Sequence, residues 1–304
     1  MKHLFIVNPT AGGNDKTDFV REAAEKALKD KNEEYEIYVT KARMDAPEKI
    51  RRDAAEHDRL HVYACGGDGT FNECVCGAAK LDNVAVAPFP TGTGNDFCRM
   101  FGEEGDLYRD LNMLVNGSET PIDLIDCNGR YSVNICCVGI DARVGADVHK
   151  YSGLPLVGGA GGYVVSVLVH IFKGIARKMK IKCDEFDKDD EFSLVCACNG
   201  RFYGGGFNPS PDARPDDGIL DIYIIKKIGL ITLARLIGKY ASGKADELPK
   251  YITHLRSDNL SISFEEDSVV NLDGEVIYAR DINMKLIPGA MKLIVPKGMK
   301  FFEN

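Results

Sequence analysis

The stretch LHVYACGGDGTFNECVCGAAK, residues 60–80, decides how the chain folds. Leu60 to Cys65 is a short apolar run of strand type, GGDGT is a glycine loop, and Phe71 to Lys80 suits a helix. One strand later the order recurs, with Val84 to Ala87 running into PTGTGND and a further helix. It also occurs earlier: Leu4 to Val7 ends in NPTAGG, and residues 15–30 carry helical periodicity with Phe19, Ala23, Ala27 and Leu28 on one side. Between these units, Tyr35 to Val39 alternates as a strand and Pro47 to Glu56 suits a helix with proline in its first turn. Strand and helix alternating in this way imply right-handed crossovers and a parallel sheet.

After Thr120 the texture changes. IDLID and YSVNICCV are separated by Cys127-Asn128-Gly129-Arg130, and Asn-Gly is a hairpin signal. The β-type runs MKIKCDEF, FSLVCACN, ILDIYII, NLSISF, VVNLDGEVIY, INMKLI and MKLIVP follow, interrupted by helical stretches near 161–176 and 229–242. This predicts an α/β first domain over 1–120 and a mostly antiparallel, β-rich second domain over 121–295. The residues 296–304 are free to pack back on the first.

Composition narrows the function. In 304 residues, 46 acids against 38 bases give a net charge of −8, so the broad basic field that nucleic-acid binding needs is missing. The N-terminal apolar run is too short for a secretory signal, and Tyr163 to Ile175 is too short to span a bilayer. Ten cysteines without a C-x-x-C pair read as buried, reduced thiols in a cytoplasmic protein. Histidine spacing gives no support for zinc.

Three glycine loops at the carboxyl ends of parallel strands point to a phosphate ligand, because glycine permits close backbone approach and the next helix presents free N–H groups. Neither a Walker loop nor a Rossmann G-x-G-x-x-G is present. Thr70 and Glu73 have capping-box spacing, and Asn95 could cap the next helix. Asp68 within the loop would repel phosphate unless magnesium bridges the two or the carboxylate polarises a hydroxyl. Asp273-Gly274 and Pro215-Asp216-Asp217-Gly218 read locally as turns.

GGDGTFNE followed by PTGTGNDFCR resembles the diacylglycerol kinase catalytic family, in its soluble bacterial lipid-kinase branch. NPTAGG at 8–13, the Asp123 segment PIDLID, PDARPDDGILD at 211–221 and LDGE at 272–275 follow in the expected order; GGDG alone is shared with NAD kinases and phosphofructokinases. The resemblance implies an ATP-binding α/β domain of NAD kinase/phosphofructokinase-like fold, a β-rich lipid-substrate domain, and a cleft between them. It places ATP against Asn8, Pro9, Thr10, Ala11, Gly12, Thr40, Gly66, Gly67, Asp68, Gly69, Thr70, Phe71, Asn72 and Thr93. Asp68 would help hold the catalytic Mg2+, and Asp273 with Glu275 would supply the base that takes the lipid's proton. A structural Mg2+ would use the Asp217 carboxylate and the backbone carbonyls of Arg214 and Ile219, with Asp123 in the surrounding network. Pro215 departs from that pattern by lacking an N–H.

Residues 226–256 carry a net +5, with Leu230, Leu233, Ile237 and Tyr240 at helical spacing. That segment and Gly158 to Ile175 are expected to form a membrane-facing surface, against the plainer reading of a solvated basic helix. The expectation is a cytoplasmic, transiently membrane-associated kinase using ATP and Mg2+ to convert a diacylglycerol-like lipid into phosphatidic acid. A sphingoid base, a monoacylglycerol, another lipid alcohol or NAD is the alternative acceptor, and a nucleotide- or lipid-binding module without turnover is the alternative class. Oligomeric state is open, a homodimer included.

Overall fold

A computed structural model describes residues 1–92, 94–139 and 176–303. The chain forms two compact units, Met1–Leu124 with Pro288–Asn304, and Ile125–Ile287. The return to the first unit thus begins at Pro288, ahead of residue 296.

The first unit is a parallel sheet flanked by helices. Its strands are β1 (Lys2–Val7), β2 (Glu34–Val39), β3 (Leu60–Gly66), β4 (Val84–Pro90) and the C-terminal part of β13 (Glu275–Val295), in the order β2-β1-β3-β4-β13. Every pairing is parallel. All residues of β1, β3 and β4 are buried, as continuous apolar strands covered on both faces must be. The helices are α1 (Thr17–Leu28), α2 (Ala46–Glu56), α3 (Asp68–Ala78) and two short ones, α4 (Asp96–Arg99) and α5 (Leu111–Val115). Helices α2 and α3 approach closely, since a Cβ on Gly77 would lie 2.9 Å from the Cα of Pro47.

Two local expectations are corrected. The buried face of α1 is Val20, Ala24 and Leu28, whereas Phe19 is 53% exposed, its ring parallel to that of Phe89 at 6.2 Å. The apolar stripe is therefore phased one residue later than the periodicity of Phe19, Ala23 and Ala27 suggests. Helix α3 begins at Asp68 and not at Phe71, so Thr70 lies inside it. No capping box forms; Glu73 instead accepts the Met44 N–H at 3.0 Å.

Among the described residues, the strand pairings of the second unit are antiparallel. Its strands β6 (Arg130–Ser132), β7 (Ile135–Gly139), β8 (Arg177–Cys183), β9 (Phe186–Cys198), β10 (Leu220–Lys226), β11 (Ile252–Ser257) and β12 (Asn259–Leu272) are joined by the end of β5 (Ser118–Cys127) and the start of β13. The sheet order β11-β10-β9-β7-β12-β13 is complemented by β8, which pairs with β9 and β12. One core holds Ile181, Val195, Ile222, Leu260 and Ile282. The other packs Leu194, Cys196 and Tyr223 with Tyr240 of α6 (Leu230–Ala241). Asn128-Gly129 forms the expected tight hairpin, with positive φ at both residues and Cys127 paired to Arg130. YSVNICCV is not one strand: it breaks between Ser132 and Ile135. The expected helix near 161–176 and the Gly158–Ile175 stretch fall outside the described residues.

Candidate functional site

In the first unit, three strand ends bring their loops into backbone contact. The Gly66 carbonyl accepts the N–H groups of both Thr91 and Gly92 at 3.1 Å, and the Asp68 N–H donates to the Gly94 carbonyl at 3.1 Å. Side chains there would crowd the facing backbone. A Cβ on Gly67 would lie 2.9 Å from the Gly94 oxygen, one on Gly92 would lie 3.0 Å from the Gly67 nitrogen, and one on Gly12 would lie 3.1 Å from the Thr91 oxygen. The glycines are therefore required by loop-to-loop packing, which gathers the helix N-terminus of α3 and the NPTAGG loop into one place.

Polar side chains fix this arrangement. Asn8 Nδ2 donates to Thr70 Oγ1 at 3.2 Å, while Asn8 Oδ1 accepts the N–H and hydroxyl of Thr10 at 3.0 and 2.8 Å. Thr40 follows β2, with its N–H on the Val7 carbonyl at 2.9 Å. Asp68 is the first residue of α3, where a carboxylate complements the helix dipole, and its Oδ2 accepts the Asp96 N–H at 3.0 Å. It thus caps α4, a task expected of Asn95, whose side chain instead donates to the Gly92 carbonyl at 3.1 Å. Thr91 Oγ1 is buried and, among the described residues, has no hydrogen-bond partner. Pro9, Ala11, Gly12 and Gly69 contribute backbone to these loops and the first turn of α3. The Phe71 ring packs on that of Phe97 at 4.8 Å, and Asn72 is buried with its Oδ1 accepting the Cys76 thiol. Thr93 lies outside the described residues.

In the second unit, LDGE forms a tight turn between β12 and β13, with Leu272 paired to Glu275 and φ positive at Asp273 and Gly274. The Asp273 carboxylate accepts the Ser132 hydroxyl at 2.8 Å and the N–H groups of Val133, Asn134 and Ile135 at 2.7, 3.1 and 2.8 Å. Ser132 and this donor set escaped the sequence reading, because a turn residue's partners 140 positions upstream leave no local signal.

The 214–219 segment is a turn with Gly218 at φ +74. Asp217 Oδ1 accepts the Ile219 N–H at 3.1 Å and its Oδ2 takes Arg256 Nη2 at 3.2 Å, while Arg214 forks onto Asp216 at 3.0 and 3.1 Å. Beside it, His254 Nε2 lies 2.8 Å from Asp221 Oδ1 and Nδ1 lies 3.2 Å from Asp246; the hydrogen bond to Asp221 raises the imidazole pKa. Asp123 belongs to the first unit, where it is buried and accepts the Gly289 N–H at 2.8 Å. An oxygen-only set of one carboxylate and two carbonyls suits Mg2+, which keeps several waters. Among the described residues no cluster of three His, Cys, Asp or Glu side chains could itself enclose a metal.

Helix α6 covers a small apolar crevice, partly open to solvent, lined among others by Leu194, Ile225, Ile228, Leu233, Leu236 and Tyr240. Phe207 adds to its wall, carried by the Tyr203–Phe207 bridge that the three positive-φ residues Gly204, Gly205 and Gly206 close. The glycine triplet is thus a wall-building turn.

Comparison with known proteins agrees with this division. Residues 2–127 match the diacylglycerol kinase catalytic domain, and residues 134–295 match the YegS C-terminal NAD kinase beta sandwich-like domain. The chain belongs to the YegS-like, diacylglycerol-kinase-type lipid kinases. A protein named "Probable lipid kinase YegS-like" from Pseudomonas aeruginosa is 28% identical over 300 residues, covering 98% of this chain and 95% of its own. One of the same name from Pectobacterium atrosepticum is 27% identical, covering 99% and 98%. The crystal structure of a diacylglycerol kinase from Bacillus anthracis superposes with a TM-score of 0.72 at 26% identity over 98% of both chains. A phosphotransferase of the lipid kinase type is therefore the activity of the family. Among the described residues no helix is long and apolar enough to cross a membrane.

Proposed function

We propose that this lipid kinase transfers the γ-phosphate of ATP to the free hydroxyl of a diacylglycerol-like lipid, giving phosphatidic acid and ADP. The observation that carries the lipid acceptor is the match of residues 2–127 to the diacylglycerol kinase catalytic domain and of residues 134–295 to the YegS C-terminal domain, and the apolar residues gathered under α6 offer little to NAD or another polar acceptor. The three glycine loops with Asn8, Thr10, Thr40 and Thr70 receive the nucleotide, and the buried Thr91 hydroxyl supplies an unused polar contact.

In the transfer, the lipid oxygen forms a bond to the γ-phosphorus, the bond to the β,γ-bridging oxygen breaks, and the hydroxyl proton passes to a carboxylate of the LDGE turn, Asp273 or Glu275. Positioning matters more than base strength in such a reaction, so ordinary carboxylates suffice. Mg2+, when bound, neutralises phosphate charge; Asp68 would hold the catalytic ion, and Asp217 with the carbonyls of Arg214 and Ile219 the structural one. Contact with the bilayer falls to the outer face of α6, where Ile231 is 70% exposed and Arg235 and Lys239 follow at helical spacing.

The test is ATP turnover with detergent-dispersed diacylglycerol, monoacylglycerol and sphingosine, and with NAD. Phosphorylated diacylglycerol is expected, and Leu236→Asp should raise the lipid KM without changing that for ATP. Turnover with NAD alone would overturn the acceptor, and ATP binding without any phosphorylated product would favour a binding module. Ile231→Glu with Arg235→Glu should abolish sedimentation with anionic vesicles while leaving turnover on micelles; unchanged sedimentation would remove α6 from the membrane contact.

A further inference from the structure

A two-residue hairpin does not need the donors that surround Asp273. The turn is already closed by the Leu272–Glu275 pair and by the Gly274 N–H on Asn271 Oδ1 at 2.8 Å. Yet the Ser132 hydroxyl and three successive N–H groups, from Val133 to Ile135, converge on the one carboxylate, and the Asp273 N–H returns to the Ile135 carbonyl at 3.1 Å. The strand that sequence reads as continuous is opened between β6 and β7, and the donors there are turned to this acceptor. Ionised carboxylates only accept, so four donors hold both oxygens in one orientation. Reacting groups need this kind of support, being useful only within about 0.5 Å of their working position.

Ser132 is the side chain in that set and is fully buried. We propose that Ser132 is a positioning residue for lipid phosphorylation, acting through the Asp273 carboxylate. The proposal rests on the kinase reading and on a reacting role for Asp273. The loop itself does not depend on the hydroxyl, because it is fastened from its other side. Asn199 Nδ2 donates to the Val133 carbonyl at 2.7 Å, and the N–H groups of Asn199 and Gly200 donate to the Asn134 carbonyl at 2.9 and 2.8 Å. Asn134 Nδ2 adds a bond to the Phe202 carbonyl. Losing one of four donors should therefore loosen the carboxylate and leave the fold.

Steady-state kinetics of Ser132→Ala and Ser132→Thr, with thermal midpoints, test this. Ser132→Ala should lower kcat about tenfold, the usual scale for one hydrogen bond to a charged group, with both KM values changed less than about twofold. Its thermal midpoint should stay close to that of the parent. Ser132→Thr keeps a hydroxyl and should recover most of kcat; if the added methyl prevents folding, the kcat-against-KM split of Ser132→Ala decides alone. Parental kcat in Ser132→Ala, a change in KM only, a loss matched by unfolded protein, or a folded Ser132→Thr as slow as Ser132→Ala would each overturn the proposal. Asp273→Ala separates the levels. If it retains turnover, the reacting role of Asp273 fails whatever Ser132 does; if the parent phosphorylates no lipid, the kinase reading fails first.

Discussion

Gly67 cannot take a side chain without moving backbone, since its φ of −109° is open to any residue but a Cβ would press on the Gly94 carbonyl at 2.9 Å. Gly67→Ala should therefore push apart the loops after β3 and β4 and raise the KM for ATP at least tenfold, roughly the cost of one misplaced phosphate contact. Gly238, in α6, is the contrast: a Cβ there meets nothing within 4 Å, so Gly238→Ala should stabilise by about 0.5–1 kcal/mol through helix propensity. Nucleotide titration and thermal unfolding of the two variants check both; an unchanged ATP KM in folded Gly67→Ala would show that the loops bind no phosphate. At this scale the sequence was legible in residue type only. GGDG and GTGND announce close backbone approach, but that Asp68 accepts the Asp96 N–H depends on two loops meeting, which no spacing encodes.

Elements were legible where local chemistry and periodicity agreed. Asn128-Gly129 and Asp273-Gly274 both form the tight turns their residues favour, and Asn128 reinforces its own with a side-chain bond to the Asp281 carbonyl at 2.7 Å and one from the Asn283 N–H at 2.9 Å. Gly129 has φ +83 and open space for a Cβ, so Gly129→Ala meets only the backbone penalty of a left-handed residue, about 1–2 kcal/mol. Chemical denaturation should show that loss with an unchanged m-value, and no loss would mean the turn adopts another form. Periodicity failed in two places for identifiable reasons. Helix α1 offers Phe19 to the surface against Phe89, so its largest apolar residue misled the phase. YSVNICCV has strand composition throughout, yet between Ser132 and Ile135 its N–H groups turn to Asp273 and its carbonyls to Asn199 and Gly200, partners that no local spacing announces.

The two units should answer pH in opposite senses across the neutral range. In the first, His3 and His61 are buried, and burial lowers both imidazole pKa values from 6.5 despite the facing carboxylates of Glu33 and Glu119. The rings pack edge to face at 5.6 Å, with Tyr63 OH on His3 Nδ1 at 2.9 Å and Arg59 also facing Glu119. The unfolded chain then binds protons more readily than the folded unit, so their contribution is present above pH 6.5 and is lost as pH falls below it. His254 in the second unit is the reverse. Its bond to Asp221 and the nearby Asp246 raise its pKa, so its contribution is full below pH 6.5 and fades as pH rises through the folded value. Lowering pH from about 8 to about 5.5 stays above the ordinary carboxylate range, which isolates the histidines. Hydrogen exchange over that interval should show protection falling in β1 and β3 while it rises in β10 and β11. His254→Gln should abolish the rise alone, and His3→Gln should weaken the fall. Parallel changes in both units would show that they unfold as one cooperative body, in which the opposed histidines cancel.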